Sequence, residues 1–137
     1  MDENHFQLVL ESRRSALPAA RRALRSWLAP SRLNHQERED FILAIGEVLA
    51  NAIIHGNQQE AHRQVQLAGR FEEDGHFITV SIQDEGEGLF TPSELYDPLS
   101  ESGRGLGIAC DLVDEFELGA KPGLVILGKR ASQVEPL

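Results

Sequence analysis

The segment between residues 36 and 56 constrains the fold most strongly, because its apolar residues recur with the period of an α-helix. At about 100° per residue these residues cover an arc of about 140°. They are Phe41, Ile42, Ile45, Val48, Leu49, Ala52 and Ile53. An apolar face of this width has to be buried against a second layer of structure. Gly56 and Asn57 come next and are typical of a helix end. The sequence therefore predicts a central helix over residues 36–55.

Shorter patterns predict the remaining elements. Alternation of apolar and polar side chains, or a short apolar run, indicates strands over residues 6–10, 65–71, 77–83 and 124–127. Asp74-Gly75 predicts a hairpin between the second and third of these strands. Helical spacing indicates a first helix that ends before Pro30 and a third that carries Leu106, Ala109, Leu112, Val113 and Phe116 on one face. Residues 84–103 have little periodicity and are predicted to form a long loop. Strands on one side and helices on the other favour an α+β fold, a two-layer sandwich.

Length and charge narrow the functional classes. A chain of 137 residues is the size of one domain, which we assign to residues 1–137. A net charge of −9 and a pI near 4.9 argue against direct nucleic-acid binding. The lone cysteine, Cys110, excludes an internal disulfide, and no apolar run is long enough for a membrane span. We therefore expect a soluble, cytoplasmic protein without a membrane contact.

The charge is unevenly distributed. Residues 12–38 contain seven arginines and one acid, a local charge of +6. Arg21, Arg22 and Arg25 lie off the apolar stripe of the first helix. They form either an ordinary solvated face or a docking surface for an acidic partner, and the sequence leaves both open.

Polar residues of the central helix form a line beside its apolar stripe. Glu47, Asn51 and His55 are spaced by four residues, so an acid, an amide and an imidazole lie along one neighbouring face. Such a trio alone is usually a solvated polar face. His55 in particular fits a capping or packing role as well as a ligand contact.

Two glycine-bearing motifs add chemistry to this line. Asp84-Glu85-Gly86-Glu87-Gly88 directly follows a predicted strand, where an aspartate can accept a hydrogen bond from an exocyclic amine and glycines permit a tight turn. Its glycine spacing excludes an EF-hand. Gly103-Arg104-Gly105-Leu106-Gly107 opens the predicted third helix, where backbone amides bind phosphate. Neither a Rossmann fingerprint nor a Walker P-loop is present.

The three motifs in this order resemble the N, G1 and G2 boxes of the Bergerat-fold, or GHKL, ATPases: Glu-x-x-x-Asn-Ala-Ile-Ile-His-Gly at 47–56, Asp-x-Gly-x-Gly at 84–88 and Gly-Arg-Gly-Leu-Gly at 103–107. Within that superfamily, the short chain is similar to the anti-sigma factor serine/threonine kinases of the RsbW and SpoIIAB type. The resemblance implies a histidine kinase-like ATPase domain with a mixed sheet covered on one face by three helices. It also implies a lid loop at about 89–102.

The resemblance also implies roles for individual residues. Glu47 matches the general base, Asn51 the Mg²⁺ ligand and Asp84 the residue that recognises the adenine amine. Gly86 and Gly88 would shape the adenine pocket, while Gly105 and Gly107 would expose amides to the phosphates of ATP. Arg104 and Leu106 fall in the same box and are expected to contact the nucleotide. One departure is Leu124, which stands where the family usually has a threonine that hydrogen-bonds near the adenine.

The function implied is that of an ATP- and Mg²⁺-dependent protein-serine/threonine kinase. By resemblance it would phosphorylate a STAS-domain anti-anti-sigma factor, sequester a sigma factor and form a homodimer. Leu124 and the arginine-rich first helix leave an alternative open, a non-catalytic nucleotide-binding regulator that controls its partner by binding alone.

Overall fold

The computed structural model describes residues 4–58, 60, 62–86 and 101–132, the last range with side chains from residue 105 onward. The strands are β1 (His5–Glu11), β2 (Gln64–Glu72), β3 (Phe77–Gln83), β4 (Glu115–Leu118) and β5 (Leu124–Arg130). The α-helices are α1 (Leu17–Leu28), α2 (His35–Asn51) and α3 (Glu101–Leu112), and short 3₁₀ turns lie at Arg14–Ala16 and Glu73–Gly75. A π-helical turn, Ala52–Gly56, extends α2.

One sheet contains the five strands in the order β1-β2-β3-β5-β4. All four pairings among the described strands are antiparallel, so the expected mixed sheet is not found. The reason lies in the crossover from β3 through α3 to β4. This crossover leaves β3 and β4 pointing the same way, but β5 lies between them and pairs antiparallel with both. The α+β class and the two-layer arrangement are confirmed.

The helices cover one face of the sheet and share a core with it. All seven apolar residues that define the predicted stripe of α2 are buried, with exposures of 6% or less. They pack with Leu24 and Leu28 from α1 and with inward-facing strand residues such as Val80 and Leu127. Asn34 and Glu37 form a capping box that fixes the start of α2. The patterned helix is therefore the central element of the fold.

The sequence placed the β2–β3 hairpin correctly and missed one strand. The turn contains three residues with positive φ, Glu73, Asp74 and Gly75, as the Asp-Gly pair predicts. The third helix was expected to continue to Phe116, but α3 ends at Leu112 and Phe116 lies on β4. Its apolar side chain matches the helical spacing of α3 by coincidence, which hid the short strand.

The long loop and its lid segment lie largely outside the described residues. Among the helices of the described ranges, none has the length and apolar character needed to cross a bilayer.

Candidate functional site

The polar line of α2 faces the amino-terminal half of α3. A β-carbon built on Gly105 would lie 2.8 Å from Glu47 Oε2 and 3.9 Å from Asn51 Nδ2. Both side chains are only partly buried, so the carboxylate and the amide lie between the two helices with part of their surface exposed. The structure thus brings Glu47, Asn51 and Gly105 together.

Asn51 contains an unsatisfied polar atom. Its Nδ2 is buried and has no hydrogen-bond partner among the residues that the structure describes. An unpaired buried donor costs about 1–3 kcal/mol, so an acceptor such as a phosphate oxygen would stabilise this position. The oxygen of the same amide is a hard donor of the kind that Mg²⁺ prefers.

The Asn51 amide oxygen would suit a magnesium ion that is shared with a ligand. No group of three or more His, Cys, Asp or Glu side chains in the described ranges could hold a metal. Mg²⁺ commonly binds through one or two protein oxygens and fills its remaining positions with water and phosphate. Asn51 would hold such an ion, with the phosphates of a nucleotide supplying further oxygens.

The start of α3 differs from the prediction. The helix begins at Glu101 rather than at Gly103, so the amides without an intrahelical acceptor lie in its first turn, before Gly105. Glycine is a poor helix former, so the sequence did not indicate that a helix already begins two residues before Gly103 and continues through the glycines. Gly105 and Gly107 therefore lie within the helix, where their amides belong to its hydrogen-bonding pattern. The absence of a side chain at Gly105 leaves space for the Glu47 carboxylate.

The other residues of this motif fall in three environments. The Leu106 side chain is 2% exposed and belongs to the core. Gly107 lies about 200° round the helix from Gly105, and a β-carbon there would meet nothing within 4 Å. The Arg104 side chain and Gly88 lie outside the described residues. Their predicted contacts with the nucleotide remain predictions.

A buried carboxylate forms the second half of the site. Asp84 follows β3 directly and is 9% exposed. Its Oδ1 accepts a hydrogen bond of 2.7 Å from the amide of Gly86. Burial raises the pKa of the Asp84 carboxyl above the ordinary value of 3.8, while the Gly86 amide and the charge of Arg63 act in the opposite direction. A carboxylate at this depth needs further hydrogen-bond donors.

Three glycines make room for Asp84. A β-carbon on Gly56 would lie 2.0 Å from Asp84 Oδ2, and one on Gly123 would lie 2.3 Å from Asp84 Oδ1. At Gly86 a β-carbon would lie 2.4 Å from the Gly56 carbonyl oxygen. Gly123 also has φ +78°, a conformation that favours glycine. The sequence predicts a role for Gly86 in the site, whereas Gly56 also fits a helix end and Gly123 also fits an ordinary turn.

The π-helical turn brings α2 up to Asp84. Asn57 donates its backbone N–H to the Ala52 carbonyl over 2.8 Å, a bond that spans five residues. Single π turns inside helices are frequent at functional sites. His55 lies on this turn and is partly buried. Roughly 7 Å of helix separates Asn51 from Gly56, so the two halves of the site lie along one element.

Leu124 lies on the strand that follows Gly123. A β-carbon on Gly119 would lie 2.3 Å from Leu124 Cδ2, so the leucine side chain packs against the backbone of Gly119. The backbone of Gly123 itself is held to Asp84, because the Asp84 amide donates to the Gly123 carbonyl at 3.1 Å. Leu124 therefore helps to close the turn before β5.

These features define a class of protein: a two-layer α+β fold with an acid–amide pair on its central helix and a glycine-lined aspartate after a central strand. The sequence of residues 10–129 matches the family described as the histidine kinase-like ATPase domain. The chain therefore belongs to the histidine kinase-like ATPase domain family.

Similar proteins carry more specific names. The chain is 30% identical over 104 residues to the serine-protein kinase RsbW of Bacillus subtilis, an alignment that covers 67% of this chain and 63% of that protein. It is 27% identical over 127 residues to the anti-sigma F factor of Oceanobacillus iheyensis, covering 88% and 86% of the two chains.

A solved structure of the RsbU and RsbW domains of a Mycobacterium tuberculosis protein has the same fold. It superposes with a TM-score of 0.67 at 23% identity, over 96% of this chain and 33% of that one. The expected similarity to the RsbW and SpoIIAB branch is thus confirmed.

Proposed function

We propose that the chain is an ATP-dependent protein-serine/threonine kinase that acts as an anti-sigma factor. The observation that carries the proposal is the approach of Glu47 and Asn51 to the backbone of α3 at Gly105, at one end of a site whose other end is the buried Asp84. The names of the similar proteins, a serine-protein kinase and an anti-sigma factor, agree with this function.

Asp84 would recognise the base of ATP. Its Oδ1 is occupied by the Gly86 amide, and the remaining carboxylate lone pairs can accept the exocyclic amine of adenine. Guanine has a carbonyl oxygen in the place of that amine, which a carboxylate repels. A buried site that lacks its hydrogen bond rejects the wrong ligand strongly. We therefore expect a clear preference for ATP over GTP.

Glu47 would act as the general base. A serine or threonine hydroxyl of the partner attacks the γ-phosphorus, the new O–P bond forms, and the bond from phosphorus to the bridging oxygen of ADP breaks. The hydroxyl proton passes to the Glu47 carboxylate. Mg²⁺, when it is bound at Asn51 and the phosphates, would neutralise the developing charge on the phosphate oxygens. Asn51 and the α3 backbone orient the phosphates for this transfer.

The substrate would be a STAS-domain anti-anti-sigma factor. When that protein is absent or phosphorylated, the kinase would sequester a sigma factor, as a cytoplasmic homodimer. On α1, Arg22 and Arg25 are exposed and Arg21 is partly buried, which would suit an acidic partner surface.

The proposal is tested by incubating the purified chain with ATP labelled at the γ-phosphate, Mg²⁺ and candidate STAS-domain proteins. We expect label on a serine or threonine of one of these proteins, and its loss when EDTA is added. Nucleotide binding without any transfer to a partner that the chain binds would contradict the kinase assignment.

That same result would support the second candidate, a regulator that binds nucleotide and controls its partner by contact alone. Leu124 favours it, because leucine cannot make the hydrogen bond of the usual threonine. A pull-down with ATP and with ADP separates the two further, since a pure regulator would change its bound partners with the nucleotide and leave them unmodified.

A further inference from the structure

Asn57 is a fully buried polar residue next to the aspartate site. Its exposure is 0%, which is uncommon for an asparagine. Three hydrogen bonds satisfy its side-chain amide: Nδ2 donates to Ser12 Oγ at 2.6 Å and to the Gln64 carbonyl at 2.9 Å, and Oδ1 accepts from the Glu85 amide at 2.7 Å. A buried amide with this complement of partners is held in one orientation.

The partners of Asn57 lie at or just beyond the ends of three different strands. Ser12 follows β1, Gln64 begins β2 and Glu85 lies two residues after the end of β3. These strand ends lie side by side, since Glu11 pairs with Gln64 and Gln66 pairs with Gln83. The Glu85 carboxylate adds a second tie, because it accepts a hydrogen bond from the Gln64 amide. Asn57 thus joins the end of α2 to the end of the sheet.

Asn57 also fixes the environment of the Asp84 carboxylate on two sides. It is bonded to Gly56, whose α-carbon packs directly against Asp84 Oδ2. Through Oδ1 it holds the amide of Glu85, the residue that follows Asp84. Asn57 therefore holds the end of α2 and the Asp84 segment at a fixed distance from each other.

We propose that Asn57 is a positioning residue that sets the base selectivity of the site by holding Asp84 in place relative to α2. This inference rests on the proposed function, because it concerns the recognition of adenine by Asp84. Asn57 itself is buried and does not touch the nucleotide. A side chain without the amide leaves Glu85 and Gln64 with unpaired backbone groups and lets the Asp84 segment move away from Gly56.

The test compares the dissociation constants of ATP and GTP for the wild-type chain and for Asn57→Ser. We expect the preference for ATP, expressed as the ratio of the two constants, to fall about tenfold, because one correctly placed hydrogen bond is at stake. A ratio does not change when a variant is merely less stable, because only folded molecules bind either nucleotide.

Asn34→Ala is the matched control. It removes an asparagine amide that caps the other end of α2, so it lowers the melting temperature. The ATP-to-GTP ratio should stay at the wild-type value. If Asn57→Ser does not fold, Ser12→Ala decides, because it removes one of the two acceptors of Nδ2 and should lower the ratio about threefold.

The outcomes separate the two proposals. A wild-type chain that binds neither nucleotide overturns the proposed function. A wild type that prefers ATP, together with an unchanged ratio in Asn57→Ser, or in Ser12→Ala where the first variant does not fold, overturns the role of Asn57. A lowered ratio in Asn34→Ala as well would also overturn it, since general loosening of α2 would then explain the loss.

Discussion

The two ends of the site are built in opposite ways. At the base end, Asp84 is enclosed by Gly56, Gly86 and Gly123. The amides of residues 84, 85 and 86 donate to the Gly123 carbonyl, the Asn57 side chain and the Asp84 carboxylate, respectively. At the phosphate end, Glu47 and Asn51 are partly exposed, and the buried amide nitrogen of Asn51 lacks a partner among the described residues. At the base end, the protein itself supplies the hydrogen-bond partners. At the phosphate end, a ligand would supply a partner that the protein does not.

This difference indicates how the two ends respond to change. Atoms at the base end are fixed by backbone on several sides, so an added methyl group has no room. At the phosphate end, the atom nearest to Gly105 is the far end of the flexible Glu47 side chain, which can move aside. Substitutions at the base end should therefore affect folding and binding together, whereas those at the phosphate end should affect the reaction alone.

The largest effect is expected for Glu47→Ala. Removal of a general base should lower phosphoryl transfer about 10²–10⁴-fold, because proton removal accounts for a contribution of that size. The dissociation constant of ATP should change little, because Asp84 and Asn51, which are proposed to bind the base and the phosphates, are intact. Glu47 is proposed to act on the attacking hydroxyl and not to bind the nucleotide. The measurement is a single-turnover transfer assay alongside a binding titration.

Glu39→Ala is the control for this substitution. Glu39 lies on the same helix and forms an exposed ion pair with Arg25 at 3.2 Å, so its removal should have little effect on stability. Transfer should continue at the wild-type rate. A Glu47→Ala variant that also transfers phosphate at the wild-type rate would contradict the role of Glu47 and the functional distinction between the two ends.

Gly56→Ala and Gly105→Ala test the comparison most directly. Gly56→Ala should destabilise the protein by about 1–3 kcal/mol, because the new methyl group meets the fixed Asp84 carboxylate. Gly105→Ala should leave stability unchanged or raise it by up to about 1 kcal/mol, since alanine is the better helix former. It should still lower phosphoryl transfer, because the methyl group displaces the Glu47 carboxylate.

Chemical denaturation and the transfer assay measure both variants. Equal losses of stability in the two would show that the ends do not differ in rigidity.

A smaller effect is expected for the pH dependence of Asp84. Its pKa is raised in the folded chain, so the folded state binds more protons than the unfolded state between the ordinary value of 3.8 and the folded value. Stability contributed by the protonated form is therefore lost as the pH rises through that interval. Asp84→Asn removes this loss, so at neutral pH the ligand-free variant should have a higher melting temperature than the wild type.

The same variant should bind ATP more weakly and discriminate less against GTP. The two measurements are a melting series from low to neutral pH and a pair of titrations. If Asp84→Asn melts below the wild type at neutral pH, the carboxylate stabilises the ligand-free fold. The expected destabilisation by its buried charge would then be contradicted.

Local patterns were sufficient for most of the fold. The alternation of β3 gave its exact bounds, Phe77–Gln83, and the apolar stripe of α2 identified the central helix, because burial on one face leaves a period in the sequence. The antiparallel sheet was not predictable in this way. It depends on β5 inserting between β3 and β4, which is a long-range choice.

The site shows the same division. Glu47 and Asn51 lie four residues apart on one helix, so the sequence alone placed them together. Gly56, Asp84 and Gly123 are far apart along the chain, and each glycine also has an ordinary local explanation as a helix end or a turn. The signal that could have identified them was the pairing of a glycine after the helix with another before the last strand.

The smallest effect is expected for Leu124→Thr, which restores the residue type usual in the family. Leu124 packs against Gly119, and it is Gly123 whose α-carbon lies against the Asp84 carboxylate, so the departure belongs to the packing of the turn before β5. We expect the affinity for ATP to change by less than about threefold, because the new hydroxyl would add at most one solvent-exposed hydrogen bond. Calorimetric titration with ATP measures it, and Leu124→Val serves as the control that shortens the side chain without adding a hydroxyl. A tenfold gain in Leu124→Thr that is absent in Leu124→Val would show that the base end lacks a hydrogen bond in this chain, and that it is less complete than the packing of its glycines indicates.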